Sequence, residues 1–256
     1  MKLNFNIDYR TNWGESVYIV GHTPELGDGD ESRAVKLELD GVGLWSLSID
    51  VADETRDFDY RYIVRRDDGS TRYEWGRPHR FVVGCDVKSY EIYDRWQDQP
   101  YDKPYYSSVF VDCINRRDDR DESQSLYPGS VTLRVDAPMV GSDEVLALCG
   151  DDEAIGEWNP ENALVMNDSN FPEWSITLPN KEIHLPFRYK FVILDKTTRK
   201  LLAWENGDNR VMNIIPEHKS SALVVGGMRF INSRPAWRGA GVALSLIHIS
   251  EPTRPY

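Results

Sequence analysis

The stretch FRYKFVIL at Phe187–Leu194 decides the fold class of this chain. Its first residues alternate apolar with polar, and the stretch is rich in aromatic and β-branched side chains, which is typical of a β-strand rather than a helix. A similar stretch, FDYRYIV, begins at Phe58. Phe187 and Tyr189 lie two residues apart, as do Phe58 and Tyr60, so each pair is predicted to share one face of a sheet.

These two strands belong to a longer repeat. Six residues recur at one offset of 129 positions: Gly21, Gly27, Trp45, Phe58, Tyr60 and Trp75 recur as Gly150, Gly156, Trp174, Phe187, Tyr189 and Trp204. A repeat of this length is a whole domain, because the units of a solenoid are only about 20–50 residues long and cannot stand alone. The chain is therefore predicted to hold two copies of one domain.

Each copy contains several short strand-like runs separated by Gly, Pro, Asn and Asp, with no convincing amphipathic helix. This pattern is typical of an antiparallel sandwich of about 100 residues. The predicted fold class is all-β, with two antiparallel immunoglobulin-like β-sandwich modules in tandem. The predicted organisation is a first module at 1–85, a linker with one strand at 86–126, a second module at 127–232, a short segment at 233–243 and a terminal segment at 244–256.

Composition narrows the possible partners. The 256 residues include 42 acidic and 30 basic side chains, and a net charge of −12 would repel a nucleic-acid backbone. No run is long enough and apolar enough to span a bilayer, and the first residues, MKLNFNIDYRTNW, lack the apolar stretch of a secretory signal. Neither nucleic acid nor membrane is expected as a partner, and a cytoplasmic protein is expected.

The cysteines and histidines offer little chemistry. Cys85, Cys113 and Cys149 are an odd number without CxxC spacing, so neither a disulfide framework nor a zinc site is indicated. The five histidines are scattered, and no nucleophile elbow, phosphate loop or HExxH motif is present in the sequence. No metal, no cofactor and no catalytic residue is predicted in this chain.

The terminal segment differs in character from the rest. LSLIHISEPTR, at Leu244–Arg254, resembles the translation of a sequencing-library adapter and continues no periodicity seen upstream. We interpret residues 244–256 as read-through and leave them out of the fold prediction. A natural frayed tail is the alternative.

The second copy resembles a family 20 carbohydrate-binding module, the starch-binding domain of many amylolytic enzymes. The motifs that carry the resemblance are AIGEW, a strand tryptophan, FRYKF and WENGDNR. The resemblance implies a glucan site formed by Trp158, Lys190, Trp204, Glu205 and Asn209. Indole rings would pack against the C–H faces of glucose units, while the polar side chains would hydrogen-bond the sugar hydroxyls.

A tryptophan is more often a core residue than a ligand, and this interpretation is preferred for Trp45 and Trp174, which lie within strands among Leu and Ile. Trp158 follows a glycine turn, and Trp204 precedes Glu-Asn-Gly. Tryptophans flanked by polar loop residues are more often exposed, so binding is favoured for these two.

The first copy departs from the family pattern. Asp-Gly replaces the tryptophan expected after Leu26-Gly27, and Arg61 replaces the lysine. Trp75 persists, His79 falls near the expected asparagine, and Trp13 resembles an aromatic residue of the family's second glucan site. Three alternatives stay open: the first copy binds weakly through Arg61, Trp75 and His79, binds through Trp13, or is a spacer.

PAWRGAGVA at Pro235–Ala243 resembles the entry into the catalytic barrel of family 77 4-α-glucanotransferases, also called amylomaltases or disproportionating enzymes. This resemblance implies that the chain is the non-catalytic N-terminal part of an enzyme that transfers α-1,4-glucan segments with retention. Its expected partners are starch, glycogen or maltooligosaccharides and its own catalytic domain. The alternatives are a non-catalytic glycogen-binding scaffold and a purely structural pair of sandwiches.

Overall fold

A computed structural model describes residues 1–40, 43–117, 125–216 and 218–232. The predicted barrel entry at 233–243 and the predicted read-through at 244–256 lie outside these residues. Almost all of the regular structure within them is β-strand, so the all-β prediction is confirmed.

The described residues contain nine strands before position 118 and nine after position 124. The first set is β1 Lys2–Asp8, β2 Glu15–Gly21, β3 Val35–Lys36, β4 Glu38–Leu39, β5 Leu44–Asp50, β6 Phe58–Arg66, β7 Thr71–Tyr73, β8 His79–Phe81 and β9 Ser89–Arg95. The second set is β10 Ser130–Asp136, β11 Glu144–Gly150, β12 Leu164–Val165, β13 Asn167–Asn170, β14 Glu173–Pro179, β15 Phe187–Asp195, β16 Leu201–Trp204, β17 Arg210–Met212 and β18 Ser221–Arg229.

The helical segments of the described residues are all short. Six are 3₁₀ turns: Pro24–Leu26, Glu31–Arg33, Lys103–Tyr106, Glu153–Ile155, Pro160–Asn162 and Asn180–Glu182. One is a π-helical segment at Val109–Ile114, in which Phe110 and Val111 are buried. These helical segments between 103 and 114 differ from the prediction of a linker with one strand at 86–126.

Each set of strands forms a five-stranded sheet of its own. In the first module this sheet has the order β3-β2-β6-β7 with β8 beside β6, and in the second β12-β11-β15-β16 with β17 beside β15. The opposite layers of the two modules are joined in a single eight-stranded sheet of order β13-β14-β10-β18-β9-β1-β5-β4. The two sandwiches therefore share one layer instead of following each other as separate bodies.

The shared layer is joined by two parallel strands, β9 and β18, in register from Ser89 with Ser221 to Tyr93 with Val225. The pairs β1–β9 and β10–β18 are also parallel, while the remaining pairs are antiparallel as predicted. Within each module the first and last strands lie side by side, and a parallel pair requires the long connection that the rest of the module provides.

Two hydrophobic clusters form the cores. The first contains Trp45 and the second contains Trp174, so the prediction of both as core residues is confirmed. Ala222 and Val224 of β18 are buried in the first cluster, although β18 belongs to the second module. Tyr93 of β9 packs in turn against the second cluster, so each core is completed across the junction, which stabilises one arrangement of the two modules.

The predicted boundary at residue 85 is too early. β9 lies inside the predicted linker, yet Tyr90 and Ile92 are buried in the first core. Arg117, which lies in the predicted linker, is also buried: it donates to the carbonyls of Val140 and Glu144 and lies over the Trp174 ring. A sequence rich in charged residues does not by itself predict solvent exposure, because a guanidinium can be buried where it donates to carbonyls and packs on an aromatic ring.

Candidate functional site

Trp158 is presented by a tight loop after β11. Asp152 accepts a hydrogen bond from the N–H of Ala154 at the start of a 3₁₀ turn, and Gly156 ends the turn with a φ of 92°. Glu157 and Trp158 follow with φ values of 48° and 60°. Such a conformation is a marked outlier for a bulky side chain and is commonly kept where it serves function.

Trp158 and Trp204 lie side by side at one end of the second module. Their ring centroids are 6.3 Å apart and their planes are inclined by 46°. Trp204 ends β16, packs against the second core and accepts a hydrogen bond from Asn232 at its carbonyl. Both tryptophans are half-buried, so each keeps part of its ring surface open to a ligand. We call this pair the tryptophan platform.

Lys190 lies on β15 beside the platform. Its ammonium donates to the carbonyls of Glu205 at 3.2 Å and Gly207 at 2.6 Å, and it thereby ties down the turn between β16 and β17. An ammonium has three N–H donors, so one remains for a sugar hydroxyl. Asn209 is exposed in the same turn. The structure therefore brings Lys190 and Asn209 to the segment that follows Trp204.

Glu205 has a different place from the one predicted. It is 4% exposed, its carboxylate accepts three hydrogen bonds from Arg210, and it also accepts from the N–H of Phe191. Hydrogen bonding to Glu205 raises the pKa of Arg210 against the opposing effect of burial, which is the larger single influence. The prediction of Glu205 as a sugar ligand is therefore wrong. Its carboxylate oxygens accept hydrogen bonds from Arg210 and Phe191 inside the module, so Glu205 stabilises the turn that carries the site.

In the first module, strand pairing shows which residue occupies the position of Trp204. Tyr73 pairs with Ile63 of β6, and Trp204 pairs with Val192 of β15, where Ile63 and Val192 are 129 positions apart. The predicted equivalence of Trp75 with Trp204 is therefore wrong by two residues. A longer turn before β16 and a register shift between β15 and β16 account for the difference.

Gly29 takes the place of Trp158 in the first module. Its N–H donates to the carbonyl of Gly21, just as the N–H of Trp158 donates to Gly150. The prediction that half of the platform is missing from the first module thus agrees with the structure. Tyr73 is exposed and its hydroxyl donates to Glu31, so the first module has a tyrosine ring in the position of Trp204 and no tryptophan in the position of Trp158.

Arg61 and His79 have partners within the first module. Arg61 donates to the carbonyl of Gly76, which is the same role that Lys190 has in the second module. His79 is nearly enclosed, with its ring nitrogens 3.1 Å from Glu74 and 3.6 Å from Asp94. Burial lowers the pKa of His79, but the two carboxylates outweigh burial and raise it to about 10. His79 is a buried cation in the position of Arg210, not of Asn209 as predicted.

Trp75 lies between the modules. It lines a cavity of about 240 Å³ together with Tyr106 of the connecting segment and Arg229 of β18. Its ring meets Tyr106 edge-on at 5.1 Å, and the Arg229 guanidinium lies 6.0 Å from its centre. Trp75 therefore cannot complete a surface platform of the kind formed by Trp158.

Trp13 lies apart from the other predicted residues. It occupies the β1–β2 loop and its side chain is fully exposed. In the corresponding loop of the second module, the position 129 residues after Trp13 is Ser142, two residues beyond the buried Val140. A role for Trp13 in a second glucan site stays a prediction.

Two stretches of the chain, residues 1–92 and 129–224, match the family described as the starch binding domain. They cover more than half of the chain. The chain belongs to the starch-binding domain family.

Similar proteins carry this domain in larger chains. The chain is 26% identical over 265 residues to the 4-alpha-glucanotransferase DPE2 of Oryza sativa subsp. japonica, which covers 96% of this chain and 28% of that protein. It is 30% identical over 81 residues to glucoamylase-1 of Schizophyllum commune, covering 32% of this chain and 13% of that protein. The chain thus spans less than a third of the length of either relative.

Two solved structures are also similar. The family 20 module of the maltotetraose-forming amylase from Pseudomonas saccharophila matches with a TM-score of 0.31 and 19% identity, over 38% of this chain and 98% of that one. The family 15 glucoamylase from Hypocrea jecorina matches with a TM-score of 0.35 and 24% identity, over 38% and 17%.

In this starch-binding chain, sequence reasoning missed Tyr73 and the cavity around Trp75. The turn Lys196–Lys200 is one residue longer than Asp67–Ser70, which accounts for half of the two-residue shift, and the other half comes from the register shift between β15 and β16, which leaves no sequence signal. The cavity carries no sequence signal, since its residues come from several separated segments.

Neither a metal cluster nor a membrane-spanning helix is found among the residues that the structure describes.

Proposed function

We propose that the chain binds α-glucans such as starch, glycogen or maltooligosaccharides through the tryptophan platform of its second module. The observation that carries the proposal is the pair of partly exposed rings of Trp158 and Trp204, whose centroids are 6.3 Å apart. The C–H faces of glucose pack on aromatic rings, and the hydrophobic contact provides affinity without requiring one exact orientation of the sugar. Lys190 and Asn209 supply donors and an acceptor for the hydroxyls.

We further propose that the chain is the non-catalytic part of a 4-α-glucanotransferase. Support comes from the rice 4-alpha-glucanotransferase, which aligns with 96% of this chain, whereas the glucoamylase-1 of Schizophyllum commune aligns with 32%. A purely structural pair would bury Trp158 and Trp204 fully, and neither is fully buried.

Trp158→Gly tests the platform without straining the loop. Glycine occupies the φ of 60° freely, and this relief of strain offsets part of the packing that the Trp158 ring loses, so the variant is expected to stay folded. Its affinity for β-cyclodextrin should fall at least tenfold, roughly the 1.4 kcal/mol that loss of one aromatic contact involves. Isothermal titration calorimetry measures both the affinity and the stoichiometry.

The matched control is Glu157→Gly, because Glu157 has a φ of 48° in the same loop but carries no ring. This control should bind β-cyclodextrin like the parent. Equal affinities of the parent and a folded Trp158→Gly variant would refute the platform.

A further inference from the structure

The cavity around Trp75 forms where the two modules meet, and we call it the inter-module cavity. Its volume is about 240 Å³. The residues that matter for its chemistry are Trp75, Arg77, Tyr106, Asp136, Glu173 and Arg229. The first module, the connecting segment and the second module all contribute, so the cavity exists only in the joined arrangement.

One wall of the cavity is aromatic. Trp75 and Tyr106 are perpendicular to each other, with centroids 5.1 Å apart, and each is only partly buried. Perpendicular rings present a flat face and an edge to the same space. Such a wall suits a ring-shaped ligand with C–H groups on its faces.

The polar wall holds an acceptor with unused capacity beside a cation. Asp136 lines the cavity, and its carboxylate receives no hydrogen bond from the described residues. Arg229 also lines the cavity, and its Nη2 donates to the carbonyl of Asp98. A partly buried carboxylate without a donor is costly, and a ligand hydroxyl can supply the missing hydrogen bond.

Charges around the cavity are mixed. Burial and the nearby Glu173 raise the pKa of Asp136 to about 7, against the lowering effect of Arg229, Arg77 and His79. Carboxylates and guanidinium groups on the same cavity disfavour both a simple anion and a simple cation. Hydroxyl groups, which donate and accept, can satisfy both kinds of side chain at once.

We propose that the inter-module cavity is a second carbohydrate site that accepts the terminal glucose unit of a linear α-glucan. The volume lies below the ~300 Å³ at which pockets for larger ligands begin, so it suits one hexose ring and excludes a closed glucan ring. The choice of glucose rests on the proposed function of the chain. The platform accepts the side of a glucan chain, whereas this cavity accepts its end.

The test uses the full chain in the Trp158→Gly background, titrated with maltotriose and with β-cyclodextrin, which has no chain end. We expect β-cyclodextrin binding to be lost while maltotriose still binds at one site. Adding Asp136→Asn, which keeps the side-chain shape, should weaken the remaining maltotriose binding at least tenfold. Trp75→Ala should do the same, and Asp136→Asn alone should leave β-cyclodextrin binding of the parent unchanged.

Loss of maltotriose together with β-cyclodextrin in the Trp158→Gly chain would overturn the proposal, because the platform would then be the whole site. Residual maltotriose binding that ignores a folded Asp136→Asn substitution would overturn it as well. Failure of the platform gives a different result: the parent would not bind β-cyclodextrin, whatever happens to maltotriose. Circular dichroism of each variant checks the fold, and Asp136→Asn decides the outcome if Trp75→Ala does not fold.

Discussion

Glu205→Ala is expected to lower the free energy of unfolding by about 3–5 kcal/mol, the usual cost of removing one partner of a buried ion pair. Glu205 is 4% exposed and receives three hydrogen bonds from Arg210, so the substitution leaves a guanidinium without its counter-charge. It also removes the acceptor for the N–H of Phe191. Urea unfolding followed by tryptophan fluorescence measures the loss.

Two comparisons separate this cause from general disruption. Glu161→Ala removes a carboxylate from an exposed turn and should change the stability by less than about 0.5 kcal/mol. The double variant Glu205→Leu/Arg210→Met removes both charges and should be more stable than Glu205→Ala alone. A Glu205→Ala protein as stable as the parent would contradict the assignment of Glu205 to the interior.

If Glu205 bound the sugar directly, the expected result would be different. Without a structural function, Glu205→Ala would weaken glucan binding and leave the melting temperature unchanged. With the function shown by its contacts, any weaker binding accompanies lower stability, because Glu205 lies beneath the turn that Lys190 ties to β15. Gln at this position should recover part of the stability, since its amide oxygen still accepts from Arg210.

The fold class follows from the sequence because the period of apolar residues is a local property. FRYKFVIL alternates strongly at its start, and the 129-residue repeat identifies the second copy of each strand. The joining of the sheets could not be predicted in this way. β9 and β18 are 126 residues or more apart in the chain, and no pattern in either strand indicates its neighbour.

The site was predicted in part, and the errors have physical causes. Trp158, Lys190, Trp204 and Asn209 come together because their positions are fixed by one hairpin and one loop of the second module. Residue type alone could not separate Glu205 from these ligand candidates, since burial depends on contacts with other strands. Likewise, Tyr73 rather than Trp75 occupies the position of Trp204 because the strand register differs between the modules. The tryptophan 129 residues before Trp204 conceals this difference in the sequence.

His79→Ala is the second substitution expected to cost about 3–5 kcal/mol, because Glu74 and Asp94 are buried carboxylates beside the His79 ring. The folded pKa of His79 is about 10, above the ordinary 6.5. Between these values the folded state binds more protons than the unfolded state. The stabilisation by His79 is therefore complete below pH 6.5 and is lost as the pH rises towards 10.

This pH dependence distinguishes a buried cation from an ordinary core residue. Thermal unfolding at a series of pH values should show the parent losing stability between about pH 6.5 and 10, while His79→Ala lacks that decline. His184 supplies the matched control: its Nδ1 lies 3.1 Å from Asp152, but its side chain is 86% exposed. Solvent screens such a pair, so His184→Ala should cost at most about 1 kcal/mol. If His79→Ala lost stability over the same pH range as the parent, another group would be the cause of that loss. The assignment of His79 as the buried cation of the first module would then be wrong.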